Sequence, residues 1–247
     1  MIPIRTTPTV PRANSNSNDS AAVPQRPGHR RARPGGTMEI AVIGAGNVGS
    51  ALAARLVALG HHVTLAGSRP DSPRLLRAAE TAGADSAAAA DAVRAAEVAF
   101  LAVPFTALDA TLTDEVRAGL DGTVVVDVTN PLAADFMSLT IGHTTSAGEQ
   151  VAARLPRSRV VKAFNTVMAA TLATPVLGGV RQLLPVAGDD PAAKQVVIDL
   201  GTRLGFDAVD AGPLTNARYL EPAVELLVQL GYGQGLGDRI GFHLARA

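Results

Sequence analysis

The sequence predicts an α/β fold with a doubly wound parallel sheet, and three observations carry that prediction. Short apolar runs alternate with longer amphipathic stretches from residue 39 to residue 164. A glycine-rich turn, Gly44-Ala45-Gly46-Asn47-Val48-Gly49, joins the first such pair. Apolar residues make up 47% of the chain but aromatics only 3%, so small side chains dominate and helices can lie close on a sheet. Strand–helix alternation of this kind implies parallel strands, right-handed crossovers and helices on both faces.

Six strands are predicted, over 39–44, 63–67, 84–86, 98–103, 123–128 and 159–164, each a short apolar run closed by a turn signal. The helix over 48–59 places Leu52, Leu56 and Leu59 on one face and stops at Gly60. Further helices are predicted over 73–81, 88–95 and 108–120. Another, over 147–155, has Ser146 as its N-cap and Glu149 three residues on, the pattern of a capping box. Residues 132–145 read as a loop and 168–172 as a short helix. Strands over 183–187 and 207–210 extend one edge of the sheet. Between them a helix over 191–204 is capped by Asp190, with Pro191 at its first position. The last helix spans 215–230.

Residues 1–37 differ from the rest. They hold six prolines, an Asn/Ser run, six arginines and one acid, Asp19, and they read as a disordered tail. Met38, directly before the first strand, is the expected translation start. The folded part, 38–247, then divides into a core nucleotide fold (38–164) and a small C-terminal extension (165–247). It keeps 16 basic and 21 acidic side chains, a sign that disfavours nucleic acid as a partner. No apolar run reaches membrane length, and no h-region follows Arg30-Arg31, so a cytoplasmic protein without a membrane partner is expected. The absence of cysteine excludes disulfides, iron–sulfur clusters and thiolate chemistry. No metal-ligand spacing is visible.

A lone GxGxxG is a weak signal, but here it follows a strand and opens a helix. Gly44 permits the turn, Gly46 lets the backbone approach a pyrophosphate, and Gly49 lets the helix lie close to the strand. The helix N-terminus offers free N–H groups and a partial positive charge. Coenzyme choice is read at the second strand. NAD binders usually place Asp or Glu about 20 residues past the glycines. This chain has Ser68 and Arg69 there, with Arg74 on the next helix, and these can hold a 2′-phosphate through charge-assisted hydrogen bonds. NADP(H) is therefore the expected cofactor.

Ligands of such sheets lie beyond the carboxyl ends of the strands, which places Val103-Pro104, Thr129-Asn130 and Asn165-Thr166 at the nicotinamide end. Pro104 reads equally well as a strand terminator. Asn165 and Thr166 are positioning candidates, and no residue is assigned to acid–base chemistry. His61 and His62 lie at the opposite end of the sheet and read as surface residues; His143 and His243 have no evident partner. Lys162, one of two lysines, reads as a snorkelling strand residue, with a catalytic lysine as the alternative. Reduction of a carbonyl or imine needs a positioned proton donor, whereas hydride transfer between two cofactor rings is chiefly a matter of placement.

Several stretches together resemble the coenzyme F420 (deazaflavin)-dependent NADP reductase family. They are EIAVIGAGNVGSALAARLVAL (39–59), Gly67-Ser68-Arg69, VKAFNTV (161–167), VAGDD (186–190) and LGFDAVDAGPLTNARY (204–219). The resemblance covers nearly all of 38–247. It implies hydride exchange between NADPH and a deazaflavin, Ser68 and Arg69 on the 2′-phosphate, and a second ring flanked by the segment after the sixth strand and by the last helix. It also carries the expectation of a homodimer. Deazaflavin-using members are expected to have histidine where this chain has Asn165, and the similar reductase domain of membrane ferric reductases pairs NADPH with an ordinary flavin. The small-molecule co-substrate thus stays open between a deazaflavin and a flavin. A reductase of a small imine or keto acid, and a non-catalytic NADPH-sensing domain, are the competing readings.

Overall fold

The computed structural model describes residues 36–246. Most of the predicted tail lies outside those residues. The elements in order are β1 (Glu39–Ile43), α1 (Asn47–Ala58), β2 (His62–Gly67), α2 (Pro73–Ala82), β3 (Asp85–Ala88), α3 (Ala89–Ala95), β4 (Val98–Leu101), α4 (Leu108–Thr111), α5 (Asp114–Gly119) and β5 (Val124–Asp127). There follow α6 (Ala147–Arg154), β6 (Arg159–Lys162), β7 (Val176–Leu177), β8 (Val180–Arg181), β9 (Leu183–Gly188), α7 (Pro191–Arg203), β10 (Asp207–Asp210) and α8 (Ala217–Val228).

The sheet runs β10-β9-β6-β5-β4-β1-β2-β3. Strands β1 to β6 are mutually parallel, and the order reverses between β1 and β4, the switch point where such sheets bind ligands. Strands β9 and β10 extend the β6 edge, as expected from the sequence. They are parallel to each other but join β6 antiparallel.

Alternate side chains of each strand feed opposite faces. Ile40 and Val42 meet Leu52 and Leu56 of α1, Leu75 of α2, and Val197 and Leu200 of α7 on one face. Ala41 and Ile43 meet Val93 of α3, Leu108 and Val116 of α4 and α5, and Val151 of α6 on the other. Each fully buried leucine contributes about 1.5–3 kcal/mol relative to exposure. The caps follow local chemistry. Ser72 accepts from the Leu75 amide and Asp190 from the Ala193 amide, each with proline at the first helical position. Ser146 caps α6 by accepting from the Glu149 amide at 3.1 Å, and the Glu149 carboxylate reaches back to accept from the Ser146 backbone N–H, as the spacing predicts, and from the Ser146 hydroxyl at 2.8 Å.

Four local expectations need correction. The helix over 108–120 is two helices, broken at Leu112-Thr113 because the Thr113 hydroxyl accepts from the Val116 amide and starts a new N-terminus. A small hairpin, β7–β8, turns on Gly178 and Gly179, both at positive φ, where no strand was expected. His61 is buried rather than exposed, and its Nδ1 accepts from the Met38 amide. Burial, and secondarily Arg203, hold its pKa below the ordinary value. Lys162 does not snorkel: its side chain is wholly buried and ion-paired.

Candidate functional site

Two clefts open along the carboxyl edge of the sheet. The first encloses about 620 Å³ beyond β1, β2 and β4. Of the residues singled out in the sequence, Gly44, Ala45, Gly46, Ser68, Arg74, Val103 and Pro104 line it. Asn47, Val48, Gly49 and Arg69 do not. Gly49 is buried under the turn, Val48 packs on the core, and Asn47 and Arg69 face solvent. The alanines at 88–90, which sequence reasoning missed, form part of the opposite wall; an Ala-rich run carries no signal of its own.

The three glycines play separable parts. Gly44 has φ +121°, and a Cβ there would overlap the Ala102 carbonyl oxygen. A Cβ on Gly49 would overlap the Gly44 carbonyl oxygen. Gly46 is different: its φ is −81°, which any residue adopts, and a Cβ there would meet nothing within 4 Å. The fold therefore does not need glycine at 46; a ligand lying against the backbone does. Gly46 is also the N-cap of α1, which has no side-chain cap and no acid in its first turn. Its leading amides are free to face an anion.

At the tip of β2, Arg69 and Arg74 form no ion pair among the described residues, and Asp71 pairs with neither. Two unpaired guanidinium groups beside Ser68, with no carboxylate at the strand tip, suit a phosphomonoester better than a ribose diol. Since Arg74 lines the cleft and Arg69 sits beyond its rim, Arg74→Ala is expected to weaken NADPH by about 1–3 kcal/mol and Arg69→Ala by no more. NADH should be nearly unaffected by either. Titration of both coenzymes by fluorescence checks this; equal losses for NADH would remove the 2′-phosphate assignment.

The second cleft, about 510 Å³, opens beyond β5 and β6 and is roofed by α8. Asn130 and Asn165 contribute to it, with Val167 and Met168 after β6 and Val224 and Val228 of α8. Phe136 and Tyr232 stand at its mouth, 65% and 62% exposed. The backbone of Phe164 is held at φ +63°, uncommon for a bulky residue. Its ring is fixed edge-to-face between Phe100 and Phe206, at centroid distances of 5.7 and 5.9 Å. This turn sets the direction of Asn165 and Thr166. Asn165 Nδ2 donates to Asn130 Oδ1 and to the Leu220 carbonyl, both at 3.1 Å, which leaves Oδ1 as the free end. Asn165 Oδ1, Thr129 Oγ1 and Thr166 Oγ1 are all buried without a hydrogen-bond partner. All three oxygens are closed off from solvent, and of these residues only Asn165 lines a cleft; Thr129 and Thr166, also singled out in the sequence, line neither, because their side chains are buried behind the strand ends.

Behind this wall lies a network that the sequence did not disclose. Lys162 Nζ donates to Asp127 Oδ2 at 2.9 Å, to Glu221 Oε1 at 2.8 Å and to the Thr129 carbonyl. Glu221 also accepts from the amides of Ala147 and Gly148, at the N-terminus of α6. One ammonium group thus ties β5, β6, α6 and α8 together beneath Asn130 and Asn165. The excess negative charge of two carboxylates over one ammonium falls on helix amides that favour it.

Comparison with known proteins agrees with this geometry. A family model described as NADP oxidoreductase, coenzyme F420-dependent, matches residues 39–131. An F420-dependent NADP reductase of Methanothermobacter marburgensis is 35% identical over 213 residues, 78% of this chain and 92% of that protein. Metalloreductase STEAP3 of Rattus norvegicus is 33% identical over 186 residues; the match takes in 74% of this chain but only 36% of the metalloreductase. Among solved structures, a candidate F420-dependent NADP reductase from Arthrobacter sp. FB24 superposes with a TM-score of 0.76 at 32% identity, covering 85% of this chain and all of that one. The chain belongs to the family of coenzyme F420-dependent NADP oxidoreductases and is an NADP-dependent oxidoreductase.

Proposed function

We propose that the chain passes a hydride between NADP(H), held in the first cleft, and a deazaflavin or flavin ring held in the second. The observation that carries the reading is the pair of clefts itself. They open on the same sheet edge, beyond adjacent strands β4 and β5, whose spacing is about 5 Å. This adjacency supports two rings stacked across the wall between the clefts. Among the described residues no histidine or lysine lines either cleft, and those present favour placement over proton transfer.

In this reading the α1 amides and Gly46 seat the diphosphate, and Ser68 and Arg74, aided by Arg69, hold the 2′-phosphate. Val103 and Pro104 guide the chain toward β5. Asn130 and Asn165, which line the second cleft, present the polar side chains that the acceptor ring meets. Val167, Met168, Val224 and Val228 exclude water from its face. The bound nicotinamide supplies the hydride, and the further proton that completes reduction of the ring comes from water. The M. marburgensis relative supports the deazaflavin and the metalloreductase similarity leaves room for other acceptors.

The test is a stopped-flow mix of the enzyme–NADPH complex with oxidised deazaflavin or flavin. Loss of the NADPH absorbance, in step with reduction of the ring, is the expected result. Tight NADPH binding with no oxidation by any ring would overturn the reading in favour of a sensing role.

A further inference from the structure

We propose that the second cleft recognises its acceptor through the ring alone, so that an anionic chain attached to the ring weakens capture instead of aiding it. This rests on the hydride-transfer reading above and narrows the class of acceptor: a flat, uncharged fused heterocycle.

The argument is one of charge. Flavin and deazaflavin coenzymes commonly carry phosphate or carboxylate tails, and a protein that reads such a tail places arginine, lysine or a helix N-terminus on it. Among the described residues, the lining of this cleft contains no lysine or arginine, and its acidic or basic members are Asp135 and the tyrosine at the mouth. Asp135 is exposed, and its Oδ1 accepts from the Met137 amide at 3.0 Å, which fixes the carboxylate at the mouth. A second acid stands close by: Glu225 shares Gln229 Nε2 with the Met137 carbonyl. Below the cleft, Lys162 is wholly buried and spent on Asp127, Glu221 and Thr129. A tail leaving the cleft past Asp135 therefore meets a carboxylate and no cation of the described lining. A ring itself is well provided for, with Met168, Val224 and Val228 as apolar lining, Phe136 and Tyr232 at the mouth, and Asn130 and Asn165 as polar lining.

Riboflavin and FMN share one ring and differ by a phosphate, so they separate the two contributions. At saturating NADPH and low ionic strength, kcat/KM for riboflavin is expected to exceed that for FMN by about three- to tenfold, and the gap to close as salt is added. Deazaflavin with and without its acidic tail should rank the same way. Asp135→Asn keeps the turn acceptor and removes the charge, and should shrink the riboflavin-to-FMN ratio; Glu225→Gln should do so more weakly. FMN equal to or better than riboflavin, or a ratio that ignores both salt and Asp135→Asn, would overturn the inference while leaving hydride transfer intact. Absence of turnover with every ring, despite bound NADPH, would instead sink the reading on which it rests.

Discussion

Gly46→Val should yield a folded protein that no longer holds either nicotinamide coenzyme. Position 46 has ordinary backbone angles, and a Cβ there meets no atom of the protein within 4 Å. The stability cost is limited to a poorer helix start, about 1 kcal/mol. The new side chain nevertheless stands in the cleft, between the α1 amides and any diphosphate approaching them. Loss of one or two charge-assisted hydrogen bonds costs about 2–3 kcal/mol, or roughly 30- to 150-fold in affinity. Gly49→Ala is the control with the opposite signature. Its Cβ would overlap the Gly44 carbonyl, so α1 must move off the strand and the thermal transition should fall sharply. Calorimetric titration alongside a melting curve reads both. If Gly46→Val bound NADPH as tightly as the parent, the turn would have no part in coenzyme binding.

Lys162→Met should destabilise the fold by about 3–5 kcal/mol, the largest loss expected of any single side chain here. Methionine fills the space, but Asp127 and Glu221 then remain buried without their shared cation. The triple variant Asp127→Asn, Lys162→Met, Glu221→Gln removes the charges together and should regain part of that loss, because an amide oxygen can still accept from Thr129 and another from one of the Ala147 and Gly148 amides. Urea unfolding of the single, the triple and the parent measures the cycle. A single variant within about 1 kcal/mol of the parent would show that the ion cluster does not hold β5, β6 and α8 together.

These two residues also mark how far the sequence could be read. Gly46 was legible because its role is local: a turn between a strand and a helix, recognisable within six letters. The strands were legible for the same reason, as short apolar runs with punctuated ends. Lys162 was not, because its partners lie 35 and 59 residues away, and only the pairing of β5 with β6 and the return of α8 bring them together. The left-handed turn at Phe164 was equally hidden. Nothing in Ala-Phe-Asn announces it; the rings that hold Phe164 come from Phe100 on β4 and Phe206 just before β10, both remote in sequence. The break at Thr113 and the Gly178-Gly179 hairpin did carry local signals, a capping threonine and a glycine pair, but each competed with a stronger apolar pattern alongside.

The sheet order has a consequence for how such enzymes diversify. In the function proposed above, selection between phosphorylated and unphosphorylated dinucleotide falls to the tip of β2, and selection among oxidants to the cleft under α8 beyond β6. Four strand intervals, about 19 Å, separate them. Changes at Val224, Val228 or Tyr232 can thus retune one specificity without disturbing the other, and a lineage can exchange its electron acceptor while inheriting its reductant unchanged.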